Sequence, residues 1–151
     1  MAKYWEDYQV GEKFTTPGRT ISEGMINIIV GLAGFTLPIF WNEEEAKKTS
    51  FGTRIAPGRL TLLIMGGLEE QSGFWDEETM VALVGINKVR ITSPLRAGDT
   101  IRVHGEVTEK RETRNPERGI IVHHSICKNQ KEETVAETET AHLVKRKAGN
   151  G

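Results

Sequence analysis

The spacing of apolar residues changes once along this chain, from a helical repeat in the first half to an alternating repeat in the second. A helical spacing of apolar positions after residue 24 predicts a first helix, and these positions are Met25, Ile26, Ile28, Ile29, Leu32 and Ala33. Ser22 is a good N-cap for this helix, and Gly34 can adopt the left-handed conformation that often ends one.

Two further helices are predicted before residue 74. Residues 43–49 form a short helix that Asn42 caps, with Glu43–Lys47 and Glu44–Lys48 as ion pairs four residues apart. Residues 58–73 form a longer helix that is apolar almost all round, a pattern typical of buried helices. Gly66 and Gly67 lower its helix propensity by about 1 kcal/mol each, so we expect another element to pack closely against them.

After residue 80 the period shortens to two, which predicts antiparallel strands. The predicted strands are residues 81–84, 86–91, 100–113, 119–128 and 134–144, with a first strand between residues 10 and 21. Helices followed by a run of strands favour an α+β fold. We therefore expect one domain over residues 1–151, an antiparallel sheet wrapped around one buried apolar helix, with a frayed polar tail from 145 to 151.

The charge balance and the single cysteine exclude several classes of function. The chain has 20 basic and 21 acidic residues and a formal net charge of −1, which gives no electrostatic reason to bind nucleic acid or a membrane surface. Cys127 is the only cysteine, so no disulfide can form within one chain. The charged start of the chain has no apolar run typical of a signal peptide, and no apolar segment reaches the length of a membrane span. We expect a cytoplasmic protein.

Residues 34–62 carry the most specific motif, and they read GFTLPIFWNEEEAKKTSFGTRIAPGRLTL. The loop, the acidic helix, the Phe-Gly turn and the Ile-Ala-Pro-Gly entry resemble the signature of the MaoC-like dehydratases, which include the (R)-specific enoyl-CoA hydratases. Residues 87–100 resemble a second segment of the same family, around Pro94-Leu95 and Gly98-Asp99. The resemblance implies the hotdog fold and a CoA thioester as substrate or ligand, with no other cofactor.

The chain departs from this family at the positions that carry its chemistry. The family's catalytic Asp falls on Phe35, its Asn on Leu37 and its catalytic His on Phe40. In the family, the Asp and His hold a water and act as base and acid when it adds across an enoyl thioester. A phenylalanine side chain can neither accept nor donate a proton, so the departure at Phe35 and Phe40 implies weak or no hydratase activity.

Several residues are candidates for binding the thioester. Phe35, Leu37, Phe40 and Trp41 are either core residues or the lining of an apolar acyl channel. Gly58 matches the family glycine whose backbone N–H bonds the thioester carbonyl, although Pro57-Gly58 also suits a simple helix start. Ile55 and Ala56 belong to the same entry. Candidates for pairing with CoA phosphates are Lys88, Arg90 and Arg96, whose alternative role is that of ordinary solvated basic residues.

The other titratable residues offer few alternatives. Glu23, Glu43 and Glu44 are the carboxylates nearest in sequence to the missing pair, and Glu23 and Glu43 are the candidates for a displaced catalytic carboxylate. His123 and His124 cannot serve one site in one chain, because neighbouring strand residues point to opposite faces. The histidine spacing is not typical of a metal centre, so we expect no metal.

Three functions stay open. The first is an acyl-thioester-binding member of the family that lacks the usual pair, for example as a partner subunit of a heteromeric dehydratase. The second is an active hydratase, dehydratase or thioesterase with a re-sited carboxylate. The third is a structural module without a ligand. In each case we expect a homodimer, or a heterodimer with a hotdog subunit that carries the Asp and His, because an open sheet edge is normally covered.

Overall fold

Four long strands in the second half of the chain form the body of an antiparallel sheet. In the computed structural model, which describes residues 1–149, these strands are β3 (Met80–Ile91), β4 (Thr100–Glu112), β5 (Arg118–Lys128) and β6 (Thr134–Lys145). The short strands β1 (Lys13–Thr15) and β2 (Arg19–Thr20) both pair with β4. The sheet order β1-β4-β5-β6-β3 places β3 at one edge. The predicted α+β architecture is confirmed.

The first helix, α1 (Glu23–Ala33), begins and ends where its capping residues predict. The Met25 N–H donates to Ser22 Oγ at 3.1 Å, and Gly34 has a φ of 71°. A hydrogen bond to the N-cap hydroxyl satisfies one N–H group that the helix itself leaves free. The two capping residues predicted from the sequence therefore mark the ends of α1.

The second helix is shorter than predicted. Helix α2 is Glu43–Ala46, and the chain then tightens, with the Lys48 N–H bonded to Glu45 O and the Thr49 N–H bonded to Ala46 O. Such bonds bring side chains three residues apart together. The predicted pairs four apart are therefore wrong, and the observed pairs are Glu44–Lys47 (2.8 Å) and Glu45–Lys48 (2.7 Å).

The longest helix, α3 (Gly58–Gln71), packs against the sheet with one face only. Its buried residues are Leu60, Thr61, Met65, Leu68 and Glu69. Leu63 is 61% exposed, and a Cβ added at Gly66 or Gly67 would meet nothing within 4 Å. The expected close neighbour of these glycines is thus not found among residues 1–149. The apolar helix is buried on the sheet, but its opposite face is open in the single chain.

The tail is better ordered than the sequence predicts. Lys145 is the last residue of β6, Arg146 Nε donates to Glu6 at 2.9 Å, and the Lys147 N–H donates to Glu6 at 3.0 Å. The frayed tail predicted from residue 145 is therefore wrong for these three residues, because Lys145 pairs with Arg118 of β5 and Glu6 holds Arg146 and Lys147. Residues 150 and 151 lie outside the described part. No helix of residues 1–149 is long and apolar enough to cross a membrane.

Candidate functional site

The loop that resembles the family's catalytic loop presents apolar side chains. Phe35 and Phe40 are half-buried, and their rings meet edge to face with centroids 5.6 Å apart. Leu37 is 60% exposed, and Trp41, whose Nε1 donates to Thr36 O, is also exposed. The core interpretation is therefore wrong for Leu37 and Trp41 in the single chain.

The start of α3 lies beside this loop. The Ile55 N–H bonds Ile39 O at 3.3 Å, and the Ala56 N–H bonds Leu95 O at 2.7 Å. Ala56 and Pro57 are buried, and Gly58 opens the helix, where the first N–H groups have no acceptor within the helix. A Cβ at Gly58 would lie 3.3 Å from Ile91 Cγ1. Close packing against β3 is thus a second reason for glycine at this position.

Glu23 and Glu43 are both engaged by Arg54. Glu43 accepts hydrogen bonds from Thr53 Oγ1 (2.7 Å) and Arg54 Nε (3.0 Å), while Arg54 Nη2 contacts Glu23. The Thr53 hydroxyl and the Arg54 guanidinium lower the pKa of Glu43. A carboxylate stabilised in this way is a weaker proton acceptor. This group lines a small cavity of about 180 Å³ together with Arg96.

The three candidate phosphate ligands lie on β3 and in the loop after it. Lys88 has a φ of 49°, at an irregularity in the pairing of β3, and its Nζ lies 3.0 Å from Glu139 Oε2. Arg90 is exposed opposite Glu137, and Arg96 Nη2 donates to Phe51 O. Lys88 and Arg96 therefore already have partners within the chain.

A larger cavity of about 620 Å³ lies between α3 and the strands β3 and β6. Its apolar wall consists of Leu62, Met65, Met80, Leu83 and Ile86. Its polar residues include Glu69, Trp75, Thr138, Thr140 and His142. Among residues 1–149, the lining of this cavity includes none of the predicted binding residues of the loop 35–41 or of positions 55–58.

The polar side of this cavity belongs to a stripe of polar residues on the inner face of the sheet. Ser125 lies opposite Thr138, His123 lies opposite Thr140, and His142 follows two residues later on β6. The stripe separates two apolar clusters, one including Cys127 and Ala136, the other Ile121 and Val144. The interior of the sheet therefore changes from apolar to polar and back along both strands.

Glu69 of α3 reaches into this stripe. Ser125 Oγ donates to Glu69 Oε1 at 2.6 Å, and His123 Nε2 lies 3.1 Å from Glu69 Oε2. His123 is fully buried, and Glu69 is 6% exposed. We did not predict this group from the sequence. The available signal was a period of two in polar residues, at His123 and Ser125 on β5 and at Thr138, Thr140 and His142 on β6.

His142 is the unsatisfied member of the group. Neither of its ring nitrogens has a hydrogen-bond partner among the described residues, and the same holds for His123 Nδ1 and Trp75 Nε1. The two imidazole rings are stacked 5.3 Å apart, with an interplanar angle of 3°. Burial, and then the neighbouring His123, lower the pKa of His142 to about 4, so it is neutral at pH 7.

The other two histidines lie apart from this group. His124 is on the opposite face of β5, partly exposed, with Nε2 3.4 Å from Glu137 Oε2. His104 contacts Thr15 Oγ1 at 3.2 Å. The prediction that His123 and His124 point to opposite faces is confirmed.

Comparison with known proteins identifies relatives along most of the chain. A model of the MaoC-like domain matches residues 7–129. The (R)-specific enoyl-CoA hydratase of Rhodospirillum rubrum is 33% identical over 118 residues, 72% of this chain and 74% of that protein. Protein MaoC of Klebsiella aerogenes is 31% identical over 111 residues, 74% of this chain, but the match spans only 32% of that longer protein.

Solved structures agree with this assignment. A monoamine oxidase regulatory protein from Archaeoglobus is 34% identical, with a TM-score of 0.89, and the match covers 96% of this chain and 95% of that one. A double-hotdog protein of Mycobacterium tuberculosis is 18% identical, with a TM-score of 0.84 over 99% of this chain and 46% of that one, which supports the fold alone. With its domain match, its relatives and its sheet around α3, this chain belongs to the MaoC-like dehydratase family and has the hotdog fold.

Proposed function

We propose that this chain binds an acyl-CoA or acyl-carrier thioester and has weak or no hydratase activity of its own. One observation carries the proposal. The loop with Phe35, Leu37 and Phe40 lies beside the start of α3, yet it holds apolar side chains where the family resemblance expects the acid and the base. The binding framework is retained without its proton-handling groups.

The expected loss of activity follows from the chemistry of hydration. Water must lose a proton as it attacks, and the acyl carbon must gain one. Positioned acid and base groups contribute about 10²–10⁴-fold to such steps. Phe35 and Phe40 can neither donate nor accept a proton, so this contribution is missing.

Binding can persist, because part of the proposed contact is made by the backbone. The N–H of Gly58 at the start of α3 is the proposed donor to the thioester carbonyl. The partial positive charge at a helix N-terminus favours an acceptor there. The apolar side chains of Phe35, Leu37, Phe40 and Trp41, with the half-buried Ile55, form the proposed acyl surface, of which the buried Ala56 and Pro57 are not part. The exposed Arg90 is the proposed phosphate ligand, and Lys88 and Arg96 would bind phosphates only by leaving Glu139 and Phe51 O.

The alternative function is an active enzyme in which another carboxylate replaces the missing base. The contacts of Glu23 and Glu43, the two candidates from the sequence, argue against that role. Glu23 and Glu43 share Arg54, and the lowered pKa of Glu43 makes it a poor base. We therefore propose a structural role for them.

We also propose that the chain acts as a dimer, in which the second subunit is either a copy of itself or a hotdog chain that carries the Asp and His. In a heteromer, this chain would hold the acyl group and its partner would supply the acid and base. We propose a cytoplasmic location and no nucleic-acid or membrane partner.

The test is to incubate the pure chain with a panel of enoyl-CoA and acyl-CoA esters while measuring both binding and product. We expect binding, with crotonyl-CoA hydration far below that of the Rhodospirillum rubrum hydratase. Efficient hydration by the unaltered chain would contradict the proposal, and loss of that hydration in Glu43→Gln or Glu23→Gln would assign the base. Absence of binding to every ester would support a structural module instead.

A gain-of-function variant extends this test. The triple variant Phe35→Asp, Leu37→Asn, Phe40→His restores the family's polar set, and we expect it to gain turnover if it stays folded. The single changes Phe35→Asp and Phe40→His are the matched controls. They should recover little, because groups that act as a unit are not additive.

A further inference from the structure

We propose that Glu69, His123 and His142 form a binding site for one divalent transition-metal ion of the zinc class. The inference concerns the buried polar stripe of β5 and β6, so it goes beyond the proposed thioester function and does not depend on it. The possible ligand atoms of the three residues all lie within 4.8 Å of one another.

The donor set of the cluster suits a transition-metal ion. Two imidazoles and one carboxylate are the ligands of several catalytic zinc sites, which keep a further position open for water or substrate. The same set, with open positions, also suits other divalent ions of the first transition row. Glu69 and His142 line the 620 Å³ cavity. An ion held by them would therefore have an entry path and room for an exchangeable ligand.

A neighbouring hydroxyl group holds the carboxylate ligand in position. Ligating carboxylates are usually held by outer hydrogen bonds, which fix their orientation. Ser125 Oγ supplies such a bond to Glu69 Oε1 at 2.6 Å, and it leaves Oε2 facing His123. The Glu69–His123 contact occupies the place where an ion would bridge the two residues.

The cluster is costly to bury without an ion. Buried polar groups without partners are unfavourable, by about 1–3 kcal/mol each in mutational data. Both ring nitrogens of His142 and the Nδ1 of His123 lack a partner among residues 1–149. Apolar residues would serve the fold at least as well between two apolar clusters. An ion bound through His123 Nε2 would satisfy one nitrogen of His142, replace the direct Glu69–His123 contact and balance the charge of Glu69.

The required movement is small. Ligand atoms that share one zinc ion lie about 2.0–2.2 Å from it, so closing the cluster requires a shift on the order of 1 Å. His142 can supply this shift, because no hydrogen bond from residues 1–149 holds its ring. His123 and His142 are diagonal neighbours on adjacent strands, and side chains at such positions are within reach of one another.

Zinc retention tests the proposal on the full chain. The protein is stripped with EDTA, loaded with Zn²⁺, passed through a desalting column and analysed for zinc by elemental mass spectrometry. Competition with a chromophoric chelator gives the affinity, and Co²⁺ loading reports ligand geometry through its visible absorption. We expect about one zinc per chain, and a rise in Tm when zinc is present.

The decisive variants are His142→Gln and Glu69→Gln, with His124→Gln as the matched control. His124 lies next to the cluster in sequence but on the other face of β5. We expect His142→Gln and Glu69→Gln each to weaken zinc binding by more than about 100-fold, since even outer-shell partners contribute about 10–100-fold. His124→Gln should bind like the unaltered chain.

The proposal is overturned if the unaltered chain retains no zinc. It is also overturned if all variants retain the same amount of zinc, which would mean adventitious binding at surface residues. A change in thioester turnover without a change in zinc affinity would assign the cluster to proton transfer instead. Circular dichroism of the metal-free variants checks folding, and Glu69→Gln carries the test alone if His142→Gln does not fold. A failure to bind thioesters would leave the zinc result unaffected.

Discussion

Gly105 has no side chain, and this leaves room for the Phe14 ring of the first strand. It lies opposite Phe14 in the pairing of β1 with β4, and a Cβ there would be 2.1 Å from Phe14 Cζ. The Phe14 ring is stacked on Phe74 at 4.6 Å and lies 5.6 Å from His123. A side chain at position 105 would therefore force the Phe14 ring away from these neighbours, which is a physical reason for glycine opposite β1.

We therefore expect Gly105→Ala to lower the free energy of unfolding by about 1–3 kcal/mol, the usual range for overpacking a core. Denaturant unfolding measures the change. Gly85→Ala on β3 is the matched control, because its Cβ would meet Asn87 Nδ2 at an ordinary 3.5 Å. The control should change stability by less than about 0.5 kcal/mol. Equal effects of the two substitutions would refute the packing argument.

Arg54 joins elements that are distant in sequence. It contacts Glu23 in the first turn of α1 and Glu43 in the first turn of α2. Glu43 accepts hydrogen bonds from Thr53 and Arg54, which lower its pKa below the ordinary value of 4.5. A carboxylate with a lower pKa in the folded chain stabilises the fold above its unfolded pKa, and this stabilisation disappears as the pH falls through the folded value.

We expect Glu43→Gln to be less stable than the unaltered chain at neutral pH. The difference should shrink as the pH falls from about 4.5 downward, because the unaltered carboxylate then becomes protonated as well. Thermal unfolding across this pH range measures it. Glu44→Gln is the control, since Glu44 pairs with the exposed Lys47 and does not contact Arg54. A difference that stays constant with pH would contradict the ion-pair explanation.

The elements that local signals define were predicted well from the sequence. Ser22 and Gly34 fixed α1, and the period of two located β4 to β6 within about two residues. Helix α2 was predicted too long, because nothing local shows where the chain tightens after Ala46. The one-sided burial of α3 was also missed, since an apolar pattern does not tell which neighbour covers each face.

The polar group at Glu69 shows a further limit of local patterns. The histidine spacing was judged along the chain, whereas His123 and His142 meet only through the register of β5 with β6. Glu69 lies in a polar helix end, beside the exposed Glu70, and nothing local distinguishes the two. Only the rotation of α3 against the sheet places one of them inside.

At the scale of the whole molecule, the open edge of the sheet is the main unpartnered surface. Strand β3 pairs with β6 on one side only, within the described chain, and its exposed apolar residues are Leu83, Val84, Ile86, Val89 and Ile91. Long apolar edge strands of this kind are normally covered, because their free backbone groups pair readily with another strand. Leu63 on the open face of α3 adds to the exposed apolar surface.

We therefore expect the unaltered chain to sediment as a dimer at micromolar concentration, rather than as a 16.9 kDa species. Val84→Lys places a charge on the open edge strand and should shift the protein toward the monomer, because a charge at an edge opposes pairing. Val10→Lys is the matched control, since Val10 is similarly exposed but precedes β1 at the other edge of the sheet.

If only the monomer is found for the unaltered chain, the homodimer is excluded, and mixing with a hotdog subunit that carries the Asp and His then tests the heterodimer. If Val10→Lys dissociates the dimer and Val84→Lys does not, the interface lies at the β1 edge and the assignment to β3 is wrong.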